Sequence, residues 1–232
     1  MADSMLRDPR ARRALDALHA KKPNFDPAQP ALFTREHGWR IDDYCQPLPA
    51  EPPGPPLANG SWEVARRLMR RYEFADPSIV RAIYYDDRPL EGRDMLLELR
   101  FFGLRFHAGV RIAAVRDETT RTEGHETRIW GWSYRTLQGH LEMGQMDYEV
   151  WKRLDSGAVD FRIHVVSRSA TIRNRLIRAG FHLFGRREQR RFARHACERM
   201  ARLVTAELTP EPSSPPARAA DNIVVSPIDE YQ

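Results

Sequence analysis

The stretch MLLELRFFGLRFHAGVRI, residues 95–112, alternates apolar and polar side chains on either side of a central glycine, Gly103. Successive side chains of a β-strand point to opposite faces, so this alternation is typical of strands with one buried and one solvated face. Glu98, Arg100 and Arg105 would occupy the solvated face. The stretch therefore predicts two strands that flank Gly103.

Three later stretches repeat the period of two. They run from Ile129 to Leu137, from Met146 to Val150 and from Val159 to Val165, and the turn residues Asp155-Ser156-Gly157 join the last two. Because every strand has one apolar and one polar face, we expect an antiparallel sheet that is covered on one side only.

Helical signals flank the strands. Ser61 is a candidate N-cap of a short helix. The pattern of Leu68–Phe74 favours a first strand over a continuation of that helix. Asp76-Pro77 predicts the start of a second helix over DPSIVRAIYY. From 170 to 204 the apolar period returns to about 3.6 residues. Its apolar side holds Phe192, Ala196, Met200 and Leu203.

This order of elements predicts an α+β fold of the helix-grip kind. A curved antiparallel sheet would wrap around the long C-terminal helix, an arrangement that commonly leaves a cavity between the two. Proline marks the expected boundaries, since of 17 prolines only Pro77 and Pro89 fall between residues 61 and 209. We expect a flexible Arg/Pro-rich arm and linker over 1–60, the helix-grip domain over 61–205, and a disordered tail over 206–232. The arm would carry a short helix near Met5–Ala20.

The composition limits the class of protein. Of the 232 residues 41% are hydrophobic, and no apolar run reaches the roughly 18 residues that a membrane span needs. The N-terminus lacks the apolar segment of a secretory signal. Two isolated cysteines, Cys45 and Cys197, make neither a disulfide framework nor a metal site. We therefore expect a cytoplasmic protein without a cofactor.

The net charge of +5 is unevenly distributed. Eleven arginines lie between residues 168 and 204, against only two glutamates. On a helix many of these arginines would share one face, which could bind the phosphates of nucleic acid or an anionic membrane. The alternative is an ordinary solvent-exposed face, since an amphipathic helix also carries charged residues there for solubility. The candidates are Arg187, Arg190, Arg191 and Arg194.

The stretch YRTLQGHLEMG, residues 134–144, is the candidate functional site. It places an aromatic ring, a guanidinium, an imidazole and a carboxylate within nine residues. Tyr134, His140 and Glu142 are candidates for proton transfer, with Glu142 orienting His140. A metal site is not expected, because His-x-Glu supplies two ligands and a catalytic zinc usually needs three. The expected ligand-binding set is Trp130, Trp132, Tyr134, Arg135, Thr136, His140, Glu142, Ser167 and Arg168.

Two structural alternatives stay open for these residues. Thr136 and His140 could hydrogen-bond to the backbone groups of a tight loop, and Arg168 could hydrogen-bond across to the edge of that loop. Trp130 and Trp132 could be core residues instead of a pocket wall, since aromatic side chains suit both settings.

Several stretches together resemble an uncharacterised family, the domain-of-unknown-function family nineteen-ninety. The family motif is similar to G-aromatic-x-Y-G-T-L-P-G-H-P-E-x-G, and this chain departs from it at Arg135, where glycine is usual, and at Gln138, Leu141 and Ser169, where proline is usual. The resemblance implies the START-like, helix-grip superfamily and supplies no activity. The stretches that carry it are RIAAVRDE (111–118), GWSYRTLQGHLEMGQMDYEV (131–150) and VDFRIHVVSRSA (159–170).

Three functions follow as hypotheses. The first is the binding of a small, largely apolar molecule between the sheet and the C-terminal helix. The second is an enzyme, such as a cyclase, isomerase or hydrolase, that uses His140 and Glu142 in proton transfer. The third is an interaction module that uses the basic helix face.

Overall fold

The computed structural model describes residues 9–101, 104–170, 175–209 and 223–227, with the backbone alone described for 101, 104 and 175–185. The helices are α1 (Pro9–Asp16), α2 (Ser61–Arg70) and α3 (Arg175–Leu208). The strands are β1 (Arg40–Leu48), β2 (Val80–Tyr85), β3 (Asp94–Phe101), β4 (Leu104–Thr122), β5 (His125–Thr136), β6 (Glu142–Arg153), β7 (Val159–Ser169) and β8 (Ile223–Ser226).

The eight strands form one antiparallel sheet in the order β1-β7-β6-β5-β4-β3-β2-β8. From β2 to β7 each strand pairs with its neighbour in the chain, as expected of a meander. The register of β4 against β5 shifts between Ile112 and Ala114, a bulge of the kind that increases the local twist and bend of a sheet. The predicted α+β class with a curved sheet and a long C-terminal helix is confirmed.

The inner face of the sheet packs against α2 and the C-terminal half of α3. The rings of Tyr72, Phe74, Trp132 and Tyr148 pack directly, with centroids 4.7 to 6.5 Å apart. The middle of the grip is therefore filled by aromatic side chains.

The buried stripe of α3 is rotated slightly from the prediction. Ala193, Ala196, Met200 and Val204 are fully buried, whereas Phe192 and Leu203 are only partly buried. No helix among the described residues is both long and apolar enough to cross a membrane.

The helix predicted over DPSIVRAIYY is wrong, because Val80–Tyr85 forms strand β2. Asp76 accepts hydrogen bonds from the backbone amides of Ser78 and Ile79, which closes one turn only. The strand that follows is buried on both faces, so it lacks the alternation of a half-exposed strand. Leu68 likewise continues α2 and does not begin a strand.

The predicted domain limits of 61 and 205 are too narrow. Strand β1 pairs with β7 along its whole length, and β8 pairs with β2, so residues outside those limits form both edges of the sheet. Residues 210–222 and 228–232 of the predicted tail, and Met5 to Asp8 of the predicted N-terminal helix, lie outside the described residues.

The N-terminal arm also covers part of the outer face, which the alternation predicted to be solvated. Leu15 and Leu18 of the arm pack on Ile83, Leu96 and neighbouring apolar side chains in a second core. These strands are therefore apolar on both faces where the arm crosses them. The helix in the predicted segment is α1, followed by a single turn over Ala17–Ala20.

The connector between β1 and α2 is held by a buried ion pair and is not a free linker. Lys152 Nζ donates to Glu51 Oε2 at 2.7 Å and to the Pro55 carbonyl at 2.9 Å, and the lysine side chain is fully buried. Glu51 also accepts the backbone amides of Leu57 and Trp62. Burial acts to raise the pKa of Glu51, but the hydrogen bonds from Lys152 and the two amides outweigh it and lower that pKa.

Candidate functional site

Polar side chains gather at one end of the inner face. On β6 the inward positions are those of Tyr148 and Met146, and the same parity continues through Gly144 to Glu142. Gly144 lies opposite Ser167 of β7, which in turn lies opposite Arg40 of β1. Since the inward positions of the middle strands are apolar, this end is a polar rim on an otherwise apolar surface.

Glu142 is the least satisfied group of this rim. Its Oε2 accepts a long hydrogen bond of 3.4 Å from Gln189 Nε2, while its solvent-inaccessible Oε1 has no hydrogen-bond partner among the described residues. Burial raises the pKa of Glu142 to about 7, against the attraction of Arg40 and Arg186. A carboxyl group with an unpartnered buried oxygen is costly, and such groups cluster at functional sites.

Helix α3 closes the rim from the other side. Gln189 Nε2 donates to Ser167 Oγ at 3.0 Å, so this amide bridges β7 and Glu142. Arg186 pairs with Asp42 of β1 through both terminal nitrogens, and this hydrogen bonding lowers the pKa of Asp42. The end of the helix is thereby fixed relative to the edge of the sheet.

Three buried tyrosines lie inward of Glu142. Tyr134 Oη donates to Met146 Sδ at 2.9 Å, and Tyr148 Oη approaches the same sulfur at 3.6 Å. Tyr72 Oη makes no hydrogen bond of normal geometry among the described residues. Burial raises the pKa of Tyr134 to about 12, with a smaller contribution from Glu142, so the phenol is a neutral hydrogen-bond donor at pH 7. The three phenols also interact with one another, since hydrogen bonding among them contributes to their pKa values, and the sulfur is a weak acceptor.

Thr136 and His140 hold the loop between β5 and β6. Thr136 Oγ1 accepts the Gly144 amide at 2.9 Å and lies 2.7 Å from Asn24 Oδ1, which ties the arm to this loop. His140 Nδ1 accepts the Glu142 amide at 3.0 Å. Burial lowers the pKa of His140 to about 4, so the ring is neutral at pH 7. Thr136 and His140 therefore both accept hydrogen bonds from backbone amides of a tight loop, which is the structural role left open by the sequence. The group of Glu142 that contacts the imidazole is its backbone amide and not its carboxylate.

We expect His140→Ala to lower the free energy of unfolding by about 1–2 kcal/mol, because it leaves the Glu142 amide without its acceptor. Urea unfolding at pH 7 measures this loss. His19, whose side chain is 90% exposed, supplies the control variant His19→Ala with an expected change below about 0.5 kcal/mol. Equal stability of the two variants would show that the imidazole does not hold the loop.

Two predicted site residues lie on the opposite face of the sheet. Arg135 alternates with Tyr134 and Thr136, and its Nε donates to Gln145 Oε1 at 3.0 Å on the outer face. Arg168 is exposed on the outer face beside Gly38. Neither can join Glu142 in one site, and Arg168 does not bond across to the inner rim.

The two tryptophans are core residues. Trp132 is 3% exposed and its Nε1 donates to the Met69 carbonyl at 3.2 Å, while Trp130 is 5% exposed in the same core. Within the described ranges no three His, Cys, Asp or Glu side chains form a group that could hold a metal ion. Four of the arginines of α3 were predicted to meet an anionic partner, and all four are exposed: Arg187, Arg190, Arg191 and Arg194.

Sequence patterns missed the residues that complete the rim from other elements. Asp42 and Arg186 belong to segments distant in the chain, and Tyr72 follows α2 with a positive φ of 61°. The parity of β1 against β7 would have indicated Arg40 and Asp42, but only once β1 was recognised as a strand.

Comparison with known proteins gives a family and no activity. None of the curated proteins compared with the chain matches it. Among solved structures, Ara h 8.0201 aligns at 9% identity and TM-score 0.43, covering 73% of this chain and 99% of that one. A START superfamily protein from Mycobacterium smegmatis aligns at 9% identity and TM-score 0.41, covering 72% of this chain and 97% of that one. Norcoclaurine synthase from Thalictrum flavum aligns at 8% identity and TM-score 0.41, covering 74% of this chain and 97% of that one.

The profile of the family described as "Domain of unknown function (DUF1990)" matches residues 29–199, well over half of the chain, and the resemblance seen in the sequence is confirmed. The chain, with its helix-grip order of elements, belongs to the DUF1990 family.

Proposed function

We propose that the protein binds a small, largely apolar molecule at the polar end of the helix grip. The single observation that carries the proposal is Oε1 of Glu142, which is held out of solvent at the rim between β6 and α3 and has no hydrogen-bond partner in the part of the chain that the structure describes. The ligand would donate a hydrogen bond to this oxygen and lay its apolar part against the buried tyrosines. The filled centre of the grip favours this end over a central cavity.

The same group supports a second candidate function, proton transfer. A carboxyl group whose pKa lies near 7 can both give and take a proton at neutral pH, which suits general acid–base catalysis. Tyr134 is close enough for Glu142 to raise its pKa. The roles differ from the sequence hypothesis, because Glu142 would be the acid–base and His140 would only hold the loop. Binding and catalysis at this rim share one site, so turnover of a bound molecule separates them.

The test is native mass spectrometry of the protein purified from its own host, compared with the variant Glu142→Gln. We expect a co-purifying small molecule on the wild type and its loss from the variant. Glu149→Gln is the matched control, because Glu149 lies on the same strand but faces outward, bonded to Arg116 and Trp151. A ligand retained equally by both variants would exclude the rim as the binding site.

Glu142→Gln is also expected to stabilise the free protein in a pH-dependent way. Because the folded pKa of about 7 lies above the ordinary 4.5, folding is favoured while Glu142 is protonated, and this stabilisation is lost as pH rises through 7. Glutamine does not titrate. The variant should therefore gain about 3 kcal/mol over the wild type at pH 8 and less than about 0.5 kcal/mol at pH 4.5. Urea unfolding at both values measures the difference, and a constant difference would mean that Glu142 is ionised without cost in the fold.

A further inference from the structure

A pocket with a volume of about 660 Å³ opens on the outer face of the sheet, away from the rim beside α3. Its volume falls within the range of about 300–1,000 Å³ that small-molecule sites occupy. One wall is formed by the outward side chains of Met143 and Arg168, which lie opposite each other on β6 and β7. The other wall is the N-terminal arm from residue 25 to residue 39.

The arm side of the pocket is an aromatic cluster. Phe33 lies 4.6 Å from Trp39 between ring centroids, and Phe25 lies 5.6 Å from Phe33 and 5.7 Å from Trp39. Trp39 is buried, whereas the two phenylalanines are partly exposed. Mutual packing fixes the rings, so they present a rigid apolar surface that costs little conformational entropy on binding.

Arg168 supplies a cation at the edge of this surface. Its side chain is exposed, and among the described residues it has no hydrogen-bond or ion-pair partner. The guanidinium runs beside Gly38, where a Cβ atom would lie 3.8 Å from Arg168 Nε. An arginine fork next to an apolar wall is suited to a carboxylate, sulfonate or phosphate on an apolar body.

The acidic residues of the pocket differ in availability. Asp26 is bonded within the arm, since Oδ1 accepts the Ala28 amide at 3.0 Å and Oδ2 accepts Gln29 Nε2 at 2.6 Å. Glu36 is exposed on the arm wall and would repel an anion. The charge of a ligand can therefore be determined from the opposite effects of changing Arg168 and Glu36.

We propose that this pocket is a second binding site, independent of Glu142, for a small amphipathic anion. The apolar body lies on Phe25, Phe33, Trp39 and Met143, and the anionic group pairs with Arg168. The arm thus carries a binding surface of its own as well as covering the sheet.

The test is fluorescence titration of the full chain at pH 7 and low ionic strength with two probes that share one apolar body. Anilinonaphthalene sulfonate carries an anionic group, and N-phenylnaphthylamine does not. We expect Arg168→Gln to weaken binding of the sulfonate about tenfold and to change binding of the uncharged probe less than about twofold. Glu36→Gln should tighten binding of the sulfonate about two- to threefold.

Two control variants fix the location of the probe. Arg135→Gln removes another outer-face arginine, one that is bonded to Gln145, and should leave both affinities unchanged. Glu142→Gln tests the rim and is compared by its effect on the sulfonate alone, whose affinity should stay at the wild-type value. The proposal is overturned if Arg168→Gln binds the sulfonate like the wild type, if Arg168→Gln tightens and Glu36→Gln weakens it, or if Glu142→Gln abolishes it. Circular dichroism of each variant confirms that it is folded.

Discussion

Lys152→Ala is expected to lower the free energy of unfolding by about 3–5 kcal/mol, the largest loss from one charged side chain that we foresee. The substitution leaves the Glu51 carboxylate buried without its counter-ion and frees the Pro55 carbonyl from its donor. Both groups hold the connector that leads into α2. For a domain of this size the loss corresponds to a fall in melting temperature of about 10 °C.

Two further variants make this prediction specific. Lys22→Ala removes an exposed lysine and should change stability by less than about 0.5 kcal/mol. The double variant Glu51→Gln/Lys152→Met removes both charges and should recover part of the loss, because no unpaired charge stays buried. If Lys152→Ala has the same melting temperature as the wild type, the ion pair makes no net contribution to stability, because water replaces its hydrogen bonds.

Ala193→Asp should be equally severe, at more than about 4 kcal/mol. Ala193 is fully buried where α3 packs on the core, so aspartate would place an unpaired carboxylate and extra volume in a filled interior. Its neighbour Arg194 is exposed on the other side of the helix, and Arg194→Asp should cost about half a kcal/mol or less. Thermal and urea unfolding of the two variants give the comparison directly.

A reversal or equality of these two losses would mean that α3 presents a different face to the sheet. The sequence pattern placed the stripe on Phe192, Ala196, Met200 and Leu203. Ala196 and Met200 are buried as predicted, whereas Ala193 and Val204 are buried in place of Phe192 and Leu203. Small residues fit where helix and strand backbones approach closely, whereas a large side chain at the margin of the stripe is left half exposed.

Strands were predictable wherever one face met water. Alternation identified β4 to β7, because a half-exposed sheet imposes a period of two on its residues. It also identified β3, although the arm buries part of the outer face of that strand. It failed for β2, which is buried on both faces, and for β1, whose residues RIDDYCQPL have no apolar side to read. The pairing of β1 with β7 at the edge of the sheet makes that segment a strand, and a contact between residues so distant in the chain leaves no local sequence pattern.

The candidate site was predictable in part for the same reason. The alternation places three of the predicted residues on the inner face of the sheet, and the structure agrees: Tyr134, Thr136 and Glu142. The hydroxyl of Thr136, however, holds the loop by accepting the Gly144 amide. The sequence analysis included Arg135 and Arg168 in the binding set, but both have the opposite parity and lie on the outer face. Gln189 and Arg186 come from α3, and their contacts with Ser167 and Asp42 depend on how the helix is laid on the sheet.

The pairing of β1 with β7 has a consequence for the order in which the chain can fold. Asp43 and His164, which face each other across these strands, are 121 residues apart. At ordinary rates of synthesis β1 leaves the ribosome about ten seconds before its partner exists. The hairpins of the meander are local and can form meanwhile, since short loops close fastest. During that interval β1 is an unpaired strand, and its adjacent Asp42 and Asp43 together with Pro47 oppose pairing with other chains.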